Sequence, residues 1–94
     1  MEFDIGSTIH GKGRLQALVM ARGEYCLEVV EDGDMLLFVL VRGCIQVTRQ
    51  RARQPALFCL HATPSAPLLL RNEGTYVVVA ERNVLGLRAV KRRA

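Results

Sequence analysis

Turn signals cut this chain about every ten residues, and the longest apolar run between them, Met35 to Val41, has seven residues. A globular helix needs roughly ten to twelve residues of sustained 3.6-residue periodicity, and a membrane-spanning helix about 20 apolar ones. Short apolar runs bounded by Gly, Pro and Asn fit strands joined by tight turns instead.

Gly6, Gly11 and Gly13 break up the N-terminal segment and leave at most a short strand at Glu2 to Ile5. In Arg14 to Arg22, Leu15, Leu18, Val19 and Arg22 fall at helical spacing and Gly23 would cap a helix. The following segment, Glu24 to Val30, reads as a strand, which makes Arg22-Gly23 the turn of a hairpin. Residues 14–22 are therefore read as a strand, with one short helix as the alternative. Glu31-Asp32-Gly33-Asp34 is a solvated turn. Met35 to Val41 is apolar on consecutive residues, as in a central strand covered on both faces. After Arg42-Gly43, Cys44 to Arg49 alternates apolar Ile45 and Val47 with Gln46 and Thr48, the mark of a half-exposed strand. Ala56 to His61 is a further strand. Leu68 to Arg71 is expected to pair with Thr75 to Glu81 through Asn72-Glu73-Gly74, and Val84 to Val90 closes the set. The pattern predicts an all-β chain: a small antiparallel barrel or jelly-roll-like sandwich of seven or eight short strands. One domain spans residues 1–94 and ends in a short basic tail at 91–94.

The net charge of +4 conceals a dipolar sequence. Residues 1–47 hold four cations against seven acids, a balance of −3, and residues 48–94 hold nine against two, a balance of +7. Eleven of the thirteen cations are Arg, whose planar fork suits phosphate or carboxylate. Two groups stand out. Arg49, Arg51 and Arg53 recur at every second position, so an extended segment would project all three from one face. Arg88, Lys91, Arg92 and Arg93 form the second group. Together they are the candidate surface for an anionic partner, either an acidic protein or nucleic acid.

No catalytic constellation emerges. Cys26, Cys44 and Cys59 are odd in number, lack a C-x-x-C pair and sit among apolar neighbours, so they read as small buried hydrophobes in a reduced cytoplasmic protein. Cys59 and His61 share a strand face, but Phe58 and Leu60 beside them point to packing. His10 and His61 have no zinc spacing. The acidic turn lacks the longer ladder of an EF-hand, and Gly11-Lys12-Gly13 is too short for a P-loop. No cofactor is expected.

Residues 31–48, EDGDMLLFVLVRGCIQVT, resemble the central hairpin of cupin-type and cyclic-nucleotide-binding jelly rolls. The resemblance rests on Gly33, Asp34, Phe38, Val39, Gly43, Ile45 and Val47, which supply the acidic Gly-Asp turn, the apolar strand, the Gly turn and the alternating strand. It implies a jelly-roll topology. The histidine-and-Glu cluster of metal-binding cupins has no counterpart here, nor does the phosphate-binding cassette of cyclic-nucleotide domains.

Thirteen Leu and eleven Val exceed what the interior of a lone small barrel takes up, and several strands are apolar on both faces. The expectation is a non-enzymatic β interaction module of regulatory, assembly or phage-type accessory character. It self-associates into a homo-oligomer and contacts an acidic protein or nucleic acid through its arginines, with no membrane involved. The alternative is a jelly-roll sensor of a small anionic metabolite.

Overall fold

The computed structural model describes residues 2–4, 13–50 and 59–93. Among them are nine strands: β1 (Glu2–Asp4), β2 (Gly13–Met20), β3 (Tyr25–Val30), β4 (Met35–Arg42), β5 (Ile45–Gln50), β6 (Cys59–Ala62), β7 (Leu68–Leu70), β8 (Gly74–Ala80) and β9 (Val84–Lys91). They form two antiparallel sheets, a five-stranded one ordered β1-β2-β9-β4-β7 and a four-stranded one ordered β3-β8-β5-β6. The short-helix alternative for residues 14–22 is replaced by β2. Its inward residues Leu18 and Met20 alternate with outward Val19, a period of two that the sheet selects over local helical propensity.

The tight turns are not hairpins. β2 pairs with β1 and β9, while β3 pairs with β8, so Ala21–Glu24 carries the chain from one sheet to the other. The same holds for β7 and β8, which were expected to pair through residues 72–74: β7 lies beside β4, and β8 lies between β3 and β5. The turns at 31–34 and 43–44 also cross between sheets. A short Gly turn reads alike in sequence whether it joins neighbours in one sheet or spans a sandwich corner. What selects the corner is burial, since each strand keeps its apolar alternate residues on the inner face only by switching sheets. Gly43 shows the constraint at one corner. Its φ is +95°, and a Cβ there would run into the Asn83 carbonyl.

The inner faces enclose one core in which Phe38, Leu18, Ile45, Val47 and Val78 are fully buried. Each such side chain contributes about 1.5–3 kcal/mol. Antiparallel register gives the sandwich two ends. The turn at 31–34, the loop at 71–73 and the C-terminal residues 91–93 lie at one, and the turns at 21–24, 43–44 and 81–83 at the other. At the second end the Arg22 N–H donates to Asn83 Oδ1 at 2.9 Å and the Glu81 N–H to the Cys44 carbonyl at 2.9 Å, which ties neighbouring turns together.

Candidate functional site

The C-terminal cations separate by strand parity. Along β9 the even positions Val84, Gly86, Arg88 and Val90 face the core, so Arg88 points between the sheets. Its Nε and Nη2 donate to Glu28 Oε2 and Oε1 at 2.5 and 2.6 Å, and its Nη1 donates to Gln16 Oε1 at 2.5 Å. Glu28 on β3 belongs to the opposite sheet, so this network ties the sandwich across its interior. The two charged side chains are only 14% and 6% exposed. Arg88 was expected on the anionic contact surface; its fork is instead occupied inside the protein, because a strand residue two before buried Val90 shares its face.

Beyond Lys91 the chain leaves the sheet. Lys91 is exposed. Arg92 Nη1 donates to Asp34 Oδ2 at 2.9 Å, the Arg93 N–H donates to Asp34 Oδ1 at 2.7 Å, and Arg93 Nη1 reaches Asp32 Oδ2 at 3.1 Å. The acidic turn therefore clamps the tail. Gly33, with φ +85°, leaves the space across which the Arg93 side chain lies. The Arg93 N–H and then the Arg92 guanidinium hold the Asp34 carboxyl below its ordinary range, against an opposing effect of burial. Asp34 is thus a buried, bonded acid and not a fully solvated turn residue.

Arg49, at the end of β5, donates through Nη2 to the Glu73 carbonyl and lies against Gly74. Arg51 and Arg53 fall outside the described residues. Arg49, Lys91, Arg92 and Arg93 gather at the same end of the sandwich, where a groove of about 530 Å³ is lined by Val29, Val30, Glu31, Asp32 and Glu73 to Thr75. A second, much smaller cavity of about 10 Å³ beside Arg88, Asp34 and Arg92 has room for about one water.

Cys59 and His61 do project from one face, yet each has its own partner. The Cys59 sulfur accepts from Gln46 Nε2 at 2.9 Å, and His61 Nε2 lies 3.3 Å from Glu81 Oε1. The Cys44 thiol donates to that same Glu81 oxygen at 3.2 Å. Burial, reinforced by Glu81, pushes the Cys44 thiol upward, so it keeps its proton at neutral pH and is a poor nucleophile. Cys59 is exposed rather than a buried hydrophobe. Among the described residues no group of three His, Cys, Asp or Glu side chains is placed to hold a metal ion.

The outward faces carry the strongest unexplained chemistry. On the five-stranded sheet, Ala17, Leu87 and Val39 form one outward row across β2, β9 and β4, and Leu15, Ala89, Leu37 and Leu69 form the next. On the four-stranded sheet, Tyr25, Leu27 and Val29 of edge strand β3 are 71, 60 and 59% exposed, and Val79 and Val77 of β8 stand opposite the first two. Sequence reading located this surplus of apolar faces but not its placement. It missed Gln16 and Glu28, for which the one available signal was their even parity with Leu18 and Val30.

No family model matches the chain, and no curated protein matches it. Solved structures do match. A cupin superfamily protein from Desulfitobacterium hafniense superposes with a TM-score of 0.74 at 13% identity, covering 99% of this chain and 77% of that one. The Cupin_2 domain of an XRE family transcriptional regulator from Enterobacter cloacae gives 0.76 at 10% identity, covering 100% and 97%. The Cnp3 cupin domain of Schizosaccharomyces pombe gives 0.71 at 10% identity, covering 98% and 64%. The chain has the cupin-type jelly-roll fold. No helix among the described residues is long and apolar enough to cross a membrane.

Proposed function

We propose that this chain is a non-enzymatic β interaction module of the cytoplasm that self-associates and meets an acidic protein surface or nucleic acid at its arginine-bearing end. One observation carries the reading: both sheets present contiguous apolar rows outward as well as inward. Exposed apolar patches of this kind mark interaction surfaces in soluble domains. Lys91 and the Arg92–Arg93 pair, with Arg51 and Arg53 in the adjoining segment, supply the cationic contacts. The expected solution mass at micromolar concentration, measured by light scattering after size exclusion, is at least twice the 10.5 kDa of one chain. A clean monomer would remove self-association. Binding to nonspecific DNA or RNA that falls steeply with salt and is lost on Arg51→Glu would identify the anionic partner as nucleic acid; binding of neither removes nucleic acid as the partner.

A second reading, a sensor of a small anionic metabolite, is favoured by the Enterobacter cloacae neighbour, a domain of a transcriptional regulator. Stabilisation by a nucleotide or sugar in a thermal-shift screen would support it.

A further inference from the structure

The acidic turn holds the tail in two different ways. Asp34, whose side chain is only 9% exposed, accepts the Arg93 N–H at 2.7 Å and the Arg92 guanidinium at 2.9 Å. These bonds fix the course of the chain beyond β9. The Arg93 guanidinium is held separately, by Asp32 at 3.1 Å, and this pair lies open to solvent, with side chains 67 and 78% exposed. Arg93 is therefore free to exchange its carboxylate for another anion without the tail coming loose from Asp34. Glu31, the next acid on the turn, is exposed, and its carboxylate makes no hydrogen bond or ion pair among the described residues.

Around this pair stand cations with no acid of their own. Arg14 pairs with Val90, Lys91 pairs with Met35, and Arg71 directly follows Leu70, which pairs with Leu36. These three exposed residues thus lie at the ends of β2, β9 and β7, in a row about 14 Å long at the usual strand spacing. None of them makes an ion pair among the described residues. A nucleic-acid backbone, with one charge per roughly 1.7 Å of duplex, meets such a row at several phosphates. The carboxylates of a folded acidic protein have no such regular spacing.

We propose that Asp32 is a built-in competitor at this surface: its carboxylate occupies the Arg93 fork that would otherwise take a phosphate of a nucleic-acid backbone lying on Arg14, Lys91 and Arg71. Carboxylate and phosphate oxygens meet a guanidinium alike, through charge-assisted hydrogen bonds, so one replaces the other at the same donor. An exposed Arg–carboxylate pair is weak enough to be displaced, and the device therefore sets affinity without forbidding binding. Asp34 takes no part in the exchange, because it keeps the backbone of the tail in place. The inference deepens the nucleic-acid reading of the arginine-bearing end proposed above and rests on it.

The test is binding of a labelled DNA duplex of mixed sequence, followed by fluorescence anisotropy near physiological ionic strength, where charges more than about 8 Å apart are largely screened. Asp32→Asn should tighten binding about threefold to fivefold, the range that release of an exposed pair allows. Glu31→Gln removes the same charge from the same turn without freeing an arginine, and should change binding less than about twofold. Arg93→Ala should cost more in the Asp32→Asn background than in the wild type, because only there is the fork open, with a coupling of about threefold or more. All three positions are exposed, and circular dichroism checks that each variant is folded. A wild type that binds the duplex, with Asp32→Asn matching Glu31→Gln and Arg93→Ala costing the same in both backgrounds, overturns the competitor and leaves nucleic-acid binding standing. No binding of DNA or RNA by either the wild type or Asp32→Asn overturns both. Capture of poly-glutamate in place of the duplex overturns both in favour of an acidic protein.

Discussion

Two sets of Arg–carboxylate pairs, a few residues apart along the C-terminal strand and its extension, occupy opposite environments. Arg88 and Glu28 meet between the sheets, nearly out of contact with water and with both forks engaged. Arg92 and Arg93 meet Asp34 and Asp32 at the rim, where their side chains are 56 and 67% exposed. The chemistry is the same and the physics is not. A buried pair carries a desolvation cost and tolerates no loss of one partner, whereas an exposed pair is screened and worth little. The interior pair joins the two sheets, and the rim pairs hold a tail.

The largest effect is expected from breaking the interior pair. Glu28→Ala strands the Arg88 charge in the core and should destabilise the protein by about 3–5 kcal/mol, read from urea unfolding. Replacing both partners, Glu28→Leu with Arg88→Met, should restore most of that loss, because an apolar pair of similar volume needs no solvation. If the single change is as mild as a rim mutation, the contrast between the two sites fails. Molar salt should leave the interior pair's contribution nearly unchanged and erode that of the rim.

An intermediate effect is expected at Asp34, whose carboxyl is held low by the Arg93 N–H and the Arg92 guanidinium. Its native pKa lies below its unfolded value of about 3.9. In that window the unfolded chain binds more protons, so stability rises with pH. The contribution is fully present above the unfolded pKa and is lost as pH falls through the native one. Asp34→Asn should therefore be less stable than wild type at neutral pH, and the gap should close below about pH 3.9. A gap that persists unchanged at lower pH would show that Asp34 acts through shape and not charge. The smallest effect belongs to Arg93→Ala, whose exposed bridge to Asp32 should contribute about 0–1 kcal/mol.

The interior pair also shows what could and could not be read from the chain. Alternation located β5, where apolar Ile45 and Val47 are interleaved with Gln46 and Thr48, and an unbroken apolar run bounded by turns located β4. It did not give the pairing. Gly33, Gly43 and Asn72-Glu73-Gly74 announce sharp reversals, and a reversal within one sheet leaves the same residues as a corner between two. Only the inner and outer requirements of all strands taken together decide between them, and that information is distributed over distant segments. The arginines were visible as a group because they are close in sequence. Parity along β9 sends Arg88 inward with Val84 and Val90, and the chain's exit from the sheet turns Arg92 and Arg93 to the acidic turn. The partner acids Glu28 and Asp34 lie about sixty residues away and carry no local mark of their roles.

The surplus of apolar outer faces is the claim on which the proposed function stands. Small-angle X-ray scattering across a concentration series tests it most directly, because it reports mass and dimensions together. One chain has a Cα radius of gyration of 12.9 Å and measures 36 × 29 × 21 Å. Two chains stacked through the thin dimension, with sheets about 10 Å apart at the contact, should scatter with twice the mass and a radius of gyration of roughly 17 Å. A single-chain mass with a radius near 13 Å at every concentration up to about 100 μM would contradict it.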